Sequence, residues 1–402
     1  MKLTGIIASA MLFSFPLFAQ TEFPLGDGDE KWGITLKVPD SKYSLRLGAR
    51  YQSLISANSK ENLSTNETTT SQDFYTRRAR LQFRADLADR GFYYMDIRND
   101  RVNDNDKGEQ SFNLGDAYFH IPLLDTGDNS LTLRLFRAKV DVSRTQQVSS
   151  ADLLFVNRPY VSDEASQFVS HNRRATNMQL NGELLDMMTF QLVIGDGVYS
   201  DEFSDAKGNA GVSKIDGQNF MLGSKVRFYP FQNWKPSELT ETYFGKGKHF
   251  SVGYGAFNTS NIRFNKEGTE KRISRNLQNL ETSAHYYGWF VSAEYFKMDG
   301  VVEDLSPGSS FRKGSSEGWY TQAEKVFPDF HFIAPFARYE KWNKFISAGD
   351  YDLESYLYGV NWYLNGNFFR VTLAYQLDNL GEDIEGDETK VESVHLASMW
   401  HF

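Results

Sequence analysis

Residues 77–87 read RRARLQFRADL, and this stretch decides the fold. Leu81, Phe83, Ala85 and Leu87 alternate strictly with Arg80, Gln82, Arg84 and Asp86. Period two marks a strand with one apolar and one wet face. The arginines then face either outside solvent, around an apolar core, or the inside of a pore whose apolar side meets lipid. The rest of the chain decides between these.

Met1 and Lys2 open the chain, an apolar run covers Ile6 to Phe18, and Ala19 precedes Gln20. This pattern predicts a secretory signal peptide over 1–19, too short for a mature membrane helix. Leu17, at the minus-three position, departs from the usual small residue. The chain has no cysteine, hence no disulfide and no lipid-modified cysteine. Export without disulfides suits the periplasm or outer membrane of a Gram-negative cell. No apolar run reaches about 18 residues after the leader, so only a closed β-barrel is left to span a membrane. The mean hydropathy of −0.50 looks soluble, but barrels hide their apolar surface in alternation. A net charge of −9 argues against nucleic acid as a partner.

Sixteen alternating or aromatic-rich segments follow, centred near residues 48, 81, 96, 117, 135, 177, 191, 222, 252, 282, 293, 322, 337, 359, 373 and 396. The clearest, around RVTLAY, sets Phe369, Val371, Leu373, Tyr375 and Leu377 against Arg370, Thr372, Ala374 and Gln376. Phe220, Leu222, Val226 and Phe228 oppose Lys225 and Arg227 in the same way. The phase of the segment near 322 is ambiguous. Tight turns at 88–91, 287–289, 328–329 and 365–367 alternate with long polar stretches at 56–73, 141–170, 199–216, 259–276, 299–316 and 379–390. Short turns on one side and long loops on the other are a habit of outer-membrane barrels. The connection at 229–246 is longer than the short side requires. Val394, Leu396, Trp400 and Phe402 share one face of a last strand that ends the chain on an aromatic residue. Such an ending resembles the signal read by outer-membrane assembly machinery. The expected organisation is a leader at 1–19, a short periplasmic segment at 20–41 and an all-β, 16-stranded antiparallel transmembrane barrel at 42–402.

If apolar residues face lipid, parity sends the others to the lumen. That set is Arg46, Arg50, Arg78, Arg80, Arg84, Arg98, Arg134, Arg173, Lys225, Arg227 and Arg370, with Arg338 less clear. The clear acidic residues on these faces are fewer: Asp86, Asp96, Asp116 and Asp378. A wall of one charge sign concentrates counter-ions, and rings of Arg or Lys favour anions. Guanidinium also offers a fork that matches phosphate or carboxylate oxygens. The competing reading is a wall whose arginines pair with neighbouring carboxylates.

No GxSxG, HExxH, Walker loop or cysteine nucleophile occurs, so neither catalysis nor a cofactor is expected. His395 and His401 sit on the inward face of the last strand, where they read as wall residues. The acidic run at Asp104–Glu109 lacks EF-hand spacing and reads as a solvated loop rather than a calcium or other metal site. Trp289, Trp319, Trp342, Trp362 and Trp400 are expected in interfacial girdles. A general or carbohydrate-type porin, a barrel enzyme and an adhesin remain as alternatives.

The stretches FYTRRARLQFRADL, LRLFRAKVDVSR, SSADLLFVNRPYVSDE, NRRATNMQLNGEL and PFARYEKW resemble the phosphate-selective porin O and P family of Gram-negative outer membranes. The resemblance covers roughly residues 42–402. It implies a trimeric barrel whose third outside loop, here 141–170, folds inward, with Lys139 before that loop and Arg158 within it as basic pore positions. Phe136 and Asp141 depart from the family's Gly-Gln-Phe-Lys and Pro at this place. The expectation is thus a diffusion porin for small anions such as phosphate, surrounded by outer-membrane lipid.

Overall fold

Alternation becomes a wall once every strand finds a partner on each side. The computed structural model describes residues 33–102, 111–170, 174–198, 212–230, 239–244, 247–266, 268–303, 312–346, 349–381 and 388–402. The expected leader and the calcium-like acidic run lie outside these residues. The chain begins with a short β1 (Ile34–Lys37), β2 (Tyr43–Asn62), β3 (Glu67–Leu87) and β4 (Phe92–Val102). It continues through β5 (Asn113–Asp125), β6 (Asn129–Arg137), β7 (Thr176–Leu184) and β8 (Met188–Gly195). After β9 (Val212–Gly217) come β10 (Met221–Phe228), β11 (His249–Lys266), β12 (Thr269–Tyr286) and β13 (Trp289–Glu303). The last five are β14 (Arg312–Lys325), β15 (Ile333–Ile346), β16 (Gly349–Asn367), β17 (Phe369–Leu380) and β18 (Thr389–His401).

All pairs are antiparallel neighbours. β10 pairs with β8 as well as β11, and β18 returns to β2 with Trp400 opposite Tyr51. Leaving out β1 and β9, sixteen strands close on themselves, each at a segment found by periodicity. β1 continues the pairing of β2 beyond the end of β18, with Ile34 opposite Leu47. β9 pairs with β11 beyond β10. Closure gives the backbone groups of the wall partners within the protein, the condition for crossing hydrocarbon.

The outward face is apolar along most of the wall. Leu81, Leu222, Leu280, Val360 and Leu373 are exposed, whereas the alternate residues Gln82, Lys225, Glu281 and Thr372 are buried. Aromatic residues gather at the end where β2 begins and β18 finishes: Trp289, Trp362, Trp400, Tyr286 and Phe330 are all exposed there. Amphipathic rings settle at such an interface. Trp319 also faces outward, but Trp342 does not join a girdle. It is 8% exposed and packs inward, within an apolar cluster.

The long polar stretches at 56–73 and 259–276 are mostly ladder rather than open loop. β2 and β3 stay paired out to Asn62 and Glu67, and β11 and β12 out to Lys266 and Thr269. About 20 residues at roughly 3.3 Å each span some 65 Å, more than twice a hydrocarbon core of about 30 Å. Beyond the lipid both faces are wet, so Thr and Ser on both sides continue the strand without an apolar period.

Candidate functional site

Residues 141–170 carry Val142, Val148, Leu153, Leu154, Phe155, Val156, Val161, Phe168 and Val169, an apolar content that a solvated loop would not hold. All nine are buried, because the segment folds into the lumen. It forms two short helices, α1 (Arg144–Gln147) and α2 (Tyr160–Phe168), packed on the inward faces of Leu277, Phe296, Tyr320 and Trp342. Gly318 permits this approach: a Cβ there would lie 2.7 Å from Val161 Cγ2 and 2.9 Å from the Lys341 carbonyl oxygen.

The ends of these helices need acceptors, since the first N–H groups of a helix have no partner inside it. Ser143 and Pro159 supply no side-chain cap. The wall does so instead. The Glu294 carboxylate accepts the N–H of Arg144 (3.2 Å) and Thr145 (3.1 Å), the Ser143 hydroxyl (3.1 Å) and the Tyr320 hydroxyl (2.5 Å). Glu340 accepts the Val161 N–H at 3.4 Å, and Asp378 accepts the Tyr160 hydroxyl at 3.2 Å. Negative charge at a helix N-terminus also complements its dipole. Bonds to charged acceptors stabilise by about 1.5–3 kcal/mol each, so the loop is held firmly against this wall.

The arginines picked out by parity divide by what they hold. Arg78 donates to the Val156 carbonyl (2.8 Å) and Gln52, Arg50 donates to Ser150 Oγ (2.7 Å), and Arg370 donates to the Leu153 carbonyl (2.6 Å). These three fasten the loop. Arg158 donates to the carbonyls of Thr145 (2.9 Å) and Val148 (2.7 Å), and Lys139 donates to that of Gln146 (3.1 Å), stapling the loop on itself. Lys225 and Arg227 are consumed in a nearly dry network with Asp141 and Glu281. The departure at Asp141 therefore pairs with the wall of β10. Burial pushes the Asp152 carboxyl in the loop above its usual range, against the pull of Arg50 and Arg370.

A cavity of about 920 Å³ remains beside β2–β10. It runs from Asp96, Asp116 and Arg158 at mid-barrel to Leu124, Asp125 and Glu183 at the end where β18 finishes. Arg84 lies 3.8 Å over the Phe92 ring, and Arg134 lies 4.1 Å over that of Tyr118. Arg80 is 3.1 Å from Asp100 and 4.0 Å from Asp96. Arg98 is 3.9 Å from Asp100 on the same face, and Arg174 is 2.6 Å from Asp116. Arg46, also inward, donates to Thr35 of β1 and does not line the cavity. Arg173 lies outside the described residues. Nine Arg or Lys and six Asp or Glu side chains line the cavity, so the basic excess survives but is partly offset.

Parity had the signal for what was missed. Glu281, Glu294, Glu324 and Glu340 are at inward positions, buried under the loop. The sequence reading counts only Asp86, Asp96, Asp116 and Asp378 as clear inward acids and passes over these four. Arg174 next to the strand start and Glu241 on a turn carried no period and were invisible.

Residues 46–216 match the family model of phosphate-selective porin O and P, in agreement with the resemblance read from the sequence. An uncharacterized protein of Aquifex aeolicus (strain VF5) is 24% identical over 393 residues, covering 91% of this chain and 88% of that protein. Among solved structures, an anion-selective porin from Comamonas acidovorans superposes with a TM-score of 0.58 at 11% identity, over 90% of this chain and 100% of that one. The outer membrane channel DcaP of Acinetobacter baumannii gives 0.56 at 10% identity, over 92% and 100%. The fold is the closed sixteen-stranded barrel of outer-membrane porins.

Proposed function

We propose that this chain is an outer-membrane diffusion channel that prefers small anions, phosphate or a related oxyanion among them. One observation carries the reading: the cavity left open in the lumen is lined by a basic excess, with Arg134 over the Tyr118 ring and Arg84 over that of Phe92, the latter arginine also 2.8 Å from Asp86. A low-dielectric wall around such charges focuses their field on passing ions. Arg80, Lys139 and Arg158 stand at its mid-barrel end, already bonded to carboxylates or loop carbonyls, so their positive charge draws an oxyanion without a deep binding trap. The Comamonas porin of the same fold is itself described as anion-selective, which supports the direction of the preference. In this reading the end holding Phe402 faces the periplasm, residues 1–19 are the removed leader, and the barrel assembles as the trimer implied by the family resemblance.

The test is the zero-current potential of the purified protein in a planar bilayer under a salt gradient, followed by phosphate added during chloride conduction. An anion-preferring potential with phosphate block is expected. A cation-preferring potential would overturn the reading. Anion preference without block would leave a general anion pore, a reading favoured by the counter-charges of Asp96, Asp100 and Asp116.

A further inference from the structure

The connection after Phe228 is longer than a barrel turn needs, and among its described residues, 239–244 do not stay at the rim. Glu241, Thr242 and Tyr243 are buried inside the barrel. They enter from the end opposite to the loop 141–170 and meet it. The Glu241 carboxylate accepts the Leu154 N–H at 2.7 Å and the Thr145 hydroxyl at 2.6 Å, while its own N–H donates to the Asp152 carbonyl at 3.1 Å. From the loop side, Arg144 donates to the Thr240 carbonyl at 2.8 Å and the Tyr243 hydroxyl at 3.0 Å. Tyr243 then stacks on His285 of β12 at 4.5 Å and packs against Phe290 of β13.

What lies behind this junction differs in charge from the open side. Inward positions of β12–β17 carry Glu281, Glu294, Glu324, Glu340 and Asp378 against Arg275, Arg338 and Arg370. Inward positions of β2–β6 carry the opposite excess, from Arg46 and Arg50 to Arg84 and Arg134.

We propose that residues 239–244 are a second constriction element. Held to residues 144–154 through Glu241 and Arg144, they close the half of the lumen along β12–β17 and keep its carboxylates out of the ion path. The sign of selectivity then depends on this junction as well as on the arginines of the open half. The inference builds on the proposed anion channel, whose own failure would show in the wild-type potential.

Glu241→Ala and Arg144→Met break the junction from its two sides, and both are measured in planar bilayers after heat-modifiability on gels shows a folded barrel. Single-channel conductance is expected to rise by up to about two-fold, since an aqueous pore conducts with its open cross-section. The zero-current potential of Glu241→Ala is expected to move toward cations. That sign is decisive, because removing one carboxylate from an unaltered lumen moves it toward anions. Wild-type conductance in both folded variants would overturn the proposal, as would a higher conductance with the potential unmoved or shifted toward anions. Should Glu241→Ala fail to assemble, the conductance of Arg144→Met decides.

Discussion

Arg134→Gln should weaken anion preference by an amount the structure bounds. The Arg134 guanidinium lines the cavity 4.1 Å above the Tyr118 ring and 4.6 Å from that of Phe136, and among the described residues it enters no ion pair. An ion passing at about 6 Å in water-like dielectric feels roughly 0.7 kcal/mol from a unit charge. Screening at about 0.1 M salt, with a Debye length near 10 Å, reduces this to about 0.4 kcal/mol. Removing the charge raises the energy of an anion and lowers that of a cation by that amount, so the local anion-to-cation ratio falls about four-fold. The assay is the zero-current potential at low salt, repeated at about 1 M, where a Debye length near 3 Å should erase most of the difference. Arg272→Gln, on the exposed hairpin of β11 and β12, is the control and should leave the potential unchanged. An unchanged potential in a conducting Arg134→Gln channel would refute the placement of this arginine on the ion path.

Three further outcomes follow from the loop and its wall. Glu294→Ala strands the Thr145 N–H, at about 1–3 kcal/mol, while the Arg144 N–H keeps the Glu281 carboxylate at 3.1 Å; the loop should become protease-sensitive and single-channel current noisier, with Glu294→Gln milder on both counts. Asp141→Asn removes one of two carboxylates facing Lys225 and Arg227; thermal stability should fall by several kcal/mol, as for a broken buried pair, while calorimetry gives the loss and the bilayer potential moves toward anions. Gly318→Val drives side-chain atoms into Val161 and the Lys341 carbonyl; displacement of α2 should alter conductance while heat-modifiability still reports a closed barrel.

The wall was legible wherever lipid and water meet across it. Strands such as β3 and β17 present apolar side chains to one and polar side chains to the other, and their period gave both strand and facing. Legibility failed where the lumen side is not water. On β14 the inward residues are Tyr320, Gln322 and Glu324 and the outward ones Trp319, Thr321 and Ala323, so neither face is uniformly apolar and the phase is ambiguous. The same cause put Trp342 in the wrong place: an inward tryptophan is reasonable only when a folded loop covers it. The contacts that fasten that loop, such as Glu294 with Arg144 or Arg370 with Leu153, join residues 150 and 217 positions apart and leave no local trace.

These gaps share one physical origin, which bears on how selectivity is built. One barrel contains two environments. Along β2–β6 Arg50 and Arg78 are buried against the loop, but Arg80, Arg84 and Arg134 line the open cavity, where an excess of arginine acts on mobile ions. Along β12–β17 the charges are dry, and each carboxylate must be satisfied by donors at fixed positions, which the helix ends of the loop provide for Glu294 and Glu340 and the wall itself for Glu324. The same glutamates would favour cations if they were wet, so their burial serves two ends: it orders the loop that narrows the pore and withdraws acid from the ion path. A count of inward charges from sequence does not separate the two environments, and the one made from periodicity passes over the buried glutamates of the second. The channel experiences only the wet part of that sum, and the position of residues 141–170 and 239–244 decides which charges belong to it.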